Sequence, residues 1–388
     1  MHYSSNTTPV HSIRVAVFCY FFCQGLIFAS WASRIPTIKE QLHLTDGALG
    51  YLLLMLPLGQ LCTLPLSGKL VTRYGSALIC KIAAILYALI LCSIPFAIDK
   101  WTLGISLFAF GIAGNLSNIA VNTQAVGVEA LYTKSIMSSF HGGWSIAGFV
   151  GALIGLITLN LGLNTTPHFL IILTLVILNS ILNIKYLLPN DQVIPSQTKK
   201  KRYRPDLYLI QLGIIGFFSM ATEGAMFDWS GVYFKDIVKV KPSLVILGYA
   251  SFMVMMAAGR FAGDYILQRL GRKKVFIVSG ILMCSGMLLS VLLPYILPST
   301  IGFMLVGLGV SCCVPTVYSF AGKHPRIPAG IALALVTSIS FLGFLLGPPL
   351  IGFIAEFSNL KWSFSLFSLF GIAMVIIVNQ SPLFQNKN

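Results

Sequence analysis

The chain alternates between long unbroken apolar runs and short polar breaks. Twelve runs are of the ~20 residues needed to span a bilayer's hydrocarbon as a helix. They lie approximately at 13–32, 47–67, 76–98, 101–122, 136–159, 167–188, 207–231, 243–263, 275–294, 299–321, 328–354 and 362–379. The runs are continuously apolar and do not alternate, which predicts helices and not a barrel, the other structure that satisfies its backbone in lipid. The first run is longer than the ~7–15 residue apolar core of a cleaved signal peptide and is read as a helix that stays.

The runs repeat. Leu49-Gly50-Tyr51 recurs as Leu247-Gly248-Tyr249, Arg73-Tyr74-Gly75 as Arg269-Leu270-Gly271, Ser145 with Gly148-Phe149 as Ser340 with Gly343-Phe344, and Leu153-Ile154-Gly155 as Leu350-Ile351-Gly352, at offsets of 198, 196, 195 and 197. Any one match is trivial, but four in order at nearly one offset lay run 2 on run 8 and run 5 on run 11, as in transporters built from parallel repeats. The expected architecture is an all-α integral membrane protein: twelve transmembrane helices in two six-helix pseudo-symmetric bundles, 1–188 and 207–388, joined by a cytoplasmic linker at 189–206.

Composition agrees. Of 388 residues, 56% are hydrophobic and 10% charged, more apolar surface than a water-soluble core can hide. The net charge of +15 does not mark a nucleic-acid binder, because the positive residues sit in gaps between runs. With the N-terminus inside, 19 of the 26 Lys and Arg fall on cytoplasmic ends and loops and seven outside. By the positive-inside rule both termini are cytoplasmic, in a cell membrane read as a bacterial inner membrane. The basic run Lys199-Lys200-Lys201-Arg202 belongs to the linker. All eight cysteines lie within apolar runs and are read as packing residues; Cys312 and Cys313 are adjacent, without the spacing of a metal site. No metal and no cofactor are expected.

Certain motifs resemble the major facilitator superfamily over nearly the whole chain. Gly68-Lys-Leu-Val-Thr-Arg73-Tyr-Gly75 is similar to its G-x-L-x-D-R-x-G signature, with a second copy ending in Arg269-Leu-Gly271-Arg272-Lys273. Both copies depart from it: Thr72 and Gln268 occupy the acidic position, and Asp264 stands at the second copy's first glycine. Trp31-Ala-Ser-Arg34-Ile-Pro36, Asn122-Thr-Gln124, Ser139-Phe-His141-Gly-Gly-Trp144-Ser145, Glu223-Gly-Ala-Met-Phe-Asp228-Trp229-Ser230 and Leu346-Gly-Pro-Pro-Leu-Ile-Gly352 resemble the YbjJ/MosC-type branch, near the fucose-proton symporters. The resemblance implies a single-chain secondary transporter with helices 1, 4, 7 and 10 around a central cavity. It names no substrate.

Carboxylates inside a membrane are costly enough to be functional candidates by default. Run 7 has two. Glu223 shares a helical face with Gly216, Ser219 and Ser230, a stripe suited to lining water, and is the candidate proton carrier, with a fixed ion pair as the structural reading. Asp228, about 140° away at ~100° per residue, is the second proton-coupling candidate, with an interfacial role beside Trp229 as its alternative. His141 titrates in the right range for a relay but suits a structural hydrogen bond as well. Candidate substrate-binding residues are Tyr20, Gln24 and Trp31, which share a face of run 1 with Phe28, the amides Asn115, Asn118 and Asn122 of run 4, and Tyr318 after Pro315; helix packing would use the same residues. Arg73, Glu129 and Arg269 are the candidate cytoplasmic gate: if the helix of run 4 continues to Glu129, its dipole disfavours the anion there and Arg73 or Lys134 could pair with it, with a solvated loop charge as the alternative.

The expectation is a secondary active transporter, coupled to protons and acting as a monomer in the lipid bilayer, that moves a small polar, sugar-like or polyol-like solute by alternating access. Proton-driven efflux of a drug or metabolite is the alternative. A non-transporting receptor or a membrane enzyme is the reading of a different class, and for the enzyme neither a catalytic triad nor a phosphate loop can be recognised.

Overall fold

The computed structural model of the protein describes residues 9–132, 136–183, 185–189, 206–321, 324, 327 and 329–381. Most of the expected linker, with its basic run, lies outside the described residues, as do Lys134, Lys323, Arg326 and Lys387. Every regular element among the described residues is helical. The helices are α1 (Val10–Gln41), α2 (Asp46–Tyr74), α3 (Ser76–Ser93), α4 (Lys100–Glu129), α5 (Met137–Asn160), α6 (Thr165–Asn183), α7 (Leu207–Asp236), α8 (Leu247–Leu292), α9 (Ile296–Ser311), α10 (Cys313–Ala321), α11 (Ala329–Phe357) and α12 (Leu360–Gln380). Twelve segments are long and apolar enough to cross a membrane, so the protein is a multi-pass membrane protein.

Runs and helices correspond except at two places. Runs 8 and 9 form the single 46-residue α8, interrupted locally at Gly271, where φ is 72° and ψ is 166°. Run 10 is two helices, α9 and α10, that meet at Cys312. Pro315 explains the second break: it lacks the N–H that would bond the carbonyl of Ser311, and its ring crowds that carbonyl. Side chains close several helix starts. Asp99 accepts from the backbone N–H of Thr102 at 2.8 Å, and that bond, with the Thr102 hydroxyl, holds its carboxyl below the usual carboxylate range. Asp206 accepts from Leu209 at 3.0 Å at the start of α7.

The repeat is visible in the backbone. Gly75 and Gly271, 196 residues apart, both have positive φ, 83° and 72°, a conformation that a residue with a Cβ adopts only under strain. Close helix crossings recur at the same spacing: a Cβ on Gly111 would overlap the carbonyl oxygen of Leu56, and one on Gly307 that of Phe252. Both partners are thus shifted by 196, and small residues at the crossing let the backbones touch, as lipid-embedded helices require.

The chain divides into two compact units, Met1–Arg34 with Met55–Ser196, and Ile35–Leu54 with Gln197–Asn388. In the first, α5 lies against α1: a Cβ on Gly25 would come 2.5 Å from the carbonyl oxygen of Trp144, and one on Gly151 2.7 Å from the Cβ of Ala29. In the second, α11 lies against α7 along Gly213, Gly216, Gly343 and Gly347. The buried ring of Tyr233 packs 4.5 Å from Phe364 and 5.6 Å from Phe303, and its hydroxyl donates to the carbonyl of Ser290 at 2.9 Å. The boundary falls within α1, between Arg34 and Ile35, so the far end of that helix belongs with the second unit.

Candidate functional site

In the second unit α7 sets out the acids. Glu223 is buried and accepts from a guanidinium nitrogen of Arg260, on α8, at 2.8 Å. Arg260 lies near the end of an apolar run and reads in sequence as one more positive charge of the following loop; the structure turns it inward onto a carboxylate. Gly216 does not line water with Glu223. It faces α11, where a Cβ would collide with the Ser340 hydroxyl, so this part of the expected stripe is a packing seam.

Asp228 lies five residues further along α7, and its Oδ1 is buried without a hydrogen-bond partner. Its neighbour Trp229 is fully buried and donates to the carbonyl of Pro348 at 2.8 Å, a packing contact of α7 with α11. One helix thus holds two carboxyls of unlike kind: Glu223 is paired with Arg260, and Asp228 forms no ion pair among the described residues. An apolar surrounding penalises an isolated carboxylate far more than a paired one.

In the first unit, Tyr20, Gln24 and Trp31 are all buried on α1, and the Oε1 of Gln24 and Nε1 of Trp31 lack partners. The Trp31 ring tilts against Phe110 of α4 at 6.4 Å. The α4 amides divide. Asn115 is buried and accepts from the Ser67 hydroxyl at 2.9 Å, which ties α4 to α2. Asn122 donates to the carbonyl of Asn118 at 2.8 Å, and Asn118 is exposed. On α10, in the second unit, Tyr318 is half-buried, with its hydroxyl 3.8 Å from the Met220 sulfur.

One buried polar cluster escapes a reading of the runs alone. Arg34 is 2% exposed. It donates to Nδ1 of the fully buried His168 at 3.0 Å, to the Thr158 hydroxyl at 2.9 Å and to the carbonyl of Leu163 at 3.2 Å. His168 must accept at Nδ1, so it is the neutral Nε2–H tautomer. Its Nε2 is buried without a partner. The available signal was the arginine itself: a cation within a membrane span demands acceptors.

The tip of α1, in the second unit, forms a further cluster. Lys39 bridges Asp46, at 2.7 Å, and Asp236; Lys235 pairs with Glu40 and donates to the carbonyl of Pro36 at 3.3 Å; the Gly47 N–H donates to Glu356 at 2.7 Å. In sequence these lysines are merely external charges. The Lys39 and Glu40 side chains are 14% and 71% exposed, and this sets the size of their effects. Lys39→Met is expected to lower stability in detergent by about 1–3 kcal/mol, since it leaves two carboxylates facing each other without their cation. Glu40→Gln changes it by less than ~1 kcal/mol, the range of exposed pairs. Thermal unfolding of the two purified variants checks the contrast.

The remaining candidates lie apart. His141 is exposed and meets Phe21 edge-on at 5.3 Å. Arg73 rests over the Tyr74 ring at 5.2 Å, Arg269 over that of Tyr265 at 4.9 Å, and Glu129 accepts from the backbone N–H of Ile136 at 2.9 Å. No ion pair joins Arg73 to Glu129. Among the described residues no group of His, Cys, Asp and Glu is arranged to hold a metal, and the eight cysteines are free.

Twelve segments able to cross a membrane, in a chain whose two halves repeat and which keeps charges and amides inside apolar spans, define a polytopic membrane protein of internally repeated architecture. The chain belongs to the Major Facilitator Superfamily, whose model matches residues 15–329 and 212–382; it is a transporter of small molecules and not an enzyme. It is 34% identical over 370 residues to an uncharacterized MFS-type transporter of Yersinia pestis, covering 93% of this chain and 94% of that one. It is 30% identical over 387 residues to the membrane protein MosC of Rhizobium meliloti, covering 99% and 93%. Among solved structures, a point mutant of the nucleoside transporter NupG superposes with a TM-score of 0.79 at 12% identity, over 95% of this chain and 99% of that one. A bacterial homolog of the human lysosomal transporter Spinster gives 0.74 at 14%, over 99% and 100%. At these identities the two structures speak for the fold alone.

Proposed function

We propose that the protein is a proton-coupled transporter of a small polar solute of the sugar or polyol class, working by alternating access as a monomer in a bacterial inner membrane with both termini cytoplasmic. The single observation that carries the reading is the pair of unlike acids on α7. A group that loads and unloads a proton must tolerate both charge states, and Asp228 can change charge without breaking an ion pair. Glu223 and Arg260 supply the fixed charges near which such a change is felt, over distances where a low dielectric leaves Coulomb terms large.

Recognition falls to the first unit. Gln24 and Trp31 offer an unpaired amide oxygen and indole N–H beside aromatic rings, a combination that suits hydroxyl groups on an apolar ring face. The second unit couples. Orientation rests on the charge bias, and the inner-membrane assignment on the bacterial relatives.

A thermal-shift panel of monosaccharides, polyols, nucleosides and lipophilic cations, followed by uptake of the best stabiliser into proteoliposomes under an inward proton gradient, tests the solute class. A monosaccharide or polyol that stabilises the protein and accumulates until a protonophore is added is the expected result. Stabilisation by lipophilic cations alone would replace this reading with efflux.

A further inference from the structure

In the first unit a cavity of about 370 Å³ opens at the ends of α2, α3 and α6, lined by Tyr74, Gly75, Leu78, Lys81, Lys185 and Tyr186 among others. Among the described residues that line it are two cations and no acid. Lys81 is half-buried and stands five residues inside α3, ~7 Å along the helix at ~1.5 Å per residue; among the described residues it has no carboxylate partner. Lys185 is exposed just beyond the end of α6, against the adjacent Tyr186 ring, 5.2 Å away. An ammonium set that deep in a span extends toward the polar boundary and is best stabilised by an anion it meets there.

The rest of the lining says which kind of anion. Leu78 is 46% exposed and Tyr74 50% exposed, so the cavity that holds the two ammonium groups also presents apolar surface. A free anion has no use for that surface; a phospholipid fills both parts. We propose that this cavity binds the headgroup phosphate of an anionic phospholipid, with Lys81 and Lys185 on the phosphate and Leu78 and Tyr74 beside it against the glycerol. The proposal is independent of the solute and of proton coupling.

The full-length protein, delipidated in neutral detergent, is titrated with phosphatidylglycerol or phosphatidylcholine in mixed micelles while thermal unfolding is followed, and bound lipid is counted by native mass spectrometry. Phosphatidylglycerol is expected to stabilise the wild type and remain bound, and phosphatidylcholine is not. The K81Q/K185Q protein should lose on the order of 30-fold in apparent affinity, about fivefold for each lysine near a membrane surface, and the K81R/K185R protein should keep most of it. Should the double glutamine variant not fold, K185Q alone, at the exposed position, carries the test with its fivefold loss. Equal stabilisation by inorganic phosphate without lipid, or phosphatidylglycerol retention unchanged in the glutamine variants, would overturn the proposal.

Discussion

Replacing Arg260 with alanine is expected to destabilise the protein by about 3–5 kcal/mol and to abolish solute flux, because it leaves the carboxylate of Glu223 buried without its cation. The Glu223 side chain is 9% exposed and that of Arg260 21%, so water can replace little of what is lost. The double variant E223Q/R260Q removes both charges and should regain most of the stability lost in R260A, while remaining inactive. Unfolding in detergent together with uptake into proteoliposomes separates the two effects. A double variant as unstable as the single one would show that the pair is not a closed electrostatic unit.

Gly111→Ala and Gly307→Ala are expected to destabilise by ~3 kcal/mol each, the upper end for overpacking, and to lower the yield of folded protein sharply. In both, the new methyl would overlap a carbonyl oxygen of the facing helix, Leu56 in the first unit and Phe252 in the second, and no rotamer change can relieve a clash with backbone. Gly68→Ala is the control. Nothing lies within 4 Å of its Cβ position, and it stands inside α2, so replacement should be neutral or stabilising by up to ~1 kcal/mol. Equal behaviour of all three would mean that these crossings are looser than the backbone indicates.

The number of spans, the repeat and the family were legible in the sequence, because the bilayer imposes a length and a continuous apolarity that no other setting demands. The repeat was read from short matches such as Arg73-Tyr-Gly75. Its cause, a positive φ at Gly75 and Gly271, and its counterpart at Gly111 and Gly307 appear only in the backbone. Partnerships were not legible. Arg260, Lys39 and Lys235 counted toward a charge bias, since hydropathy treats a cation near the end of a run as a loop signal and says nothing of where a long side chain reaches. His168 lay unmarked in an apolar run, and its bond to the buried Arg34 appears only in the structure. Glycines 216, 343 and 347 look alike in sequence, yet they form one seam of α7 with α11.

These contacts give each unit a separate task in the proposed cycle. The first presents buried amide and indole groups to the solute, and the second carries the α7 carboxyls of Glu223 and Asp228. Of these two acids, Glu223 is bound to Arg260, and we assign to Asp228 the uptake of a proton without prior loss of an ion pair. Asp228→Asn keeps the shape and removes the titration, and no stranded cation remains to confuse the result. The most direct test follows a monosaccharide or polyol selected by the thermal-shift panel in Asp228→Asn proteoliposomes, comparing solute exchange at equal pH with accumulation under a proton gradient. The account predicts that exchange persists within a few-fold of wild type while gradient-driven accumulation is lost; accumulation that still follows the gradient as in wild type would contradict it.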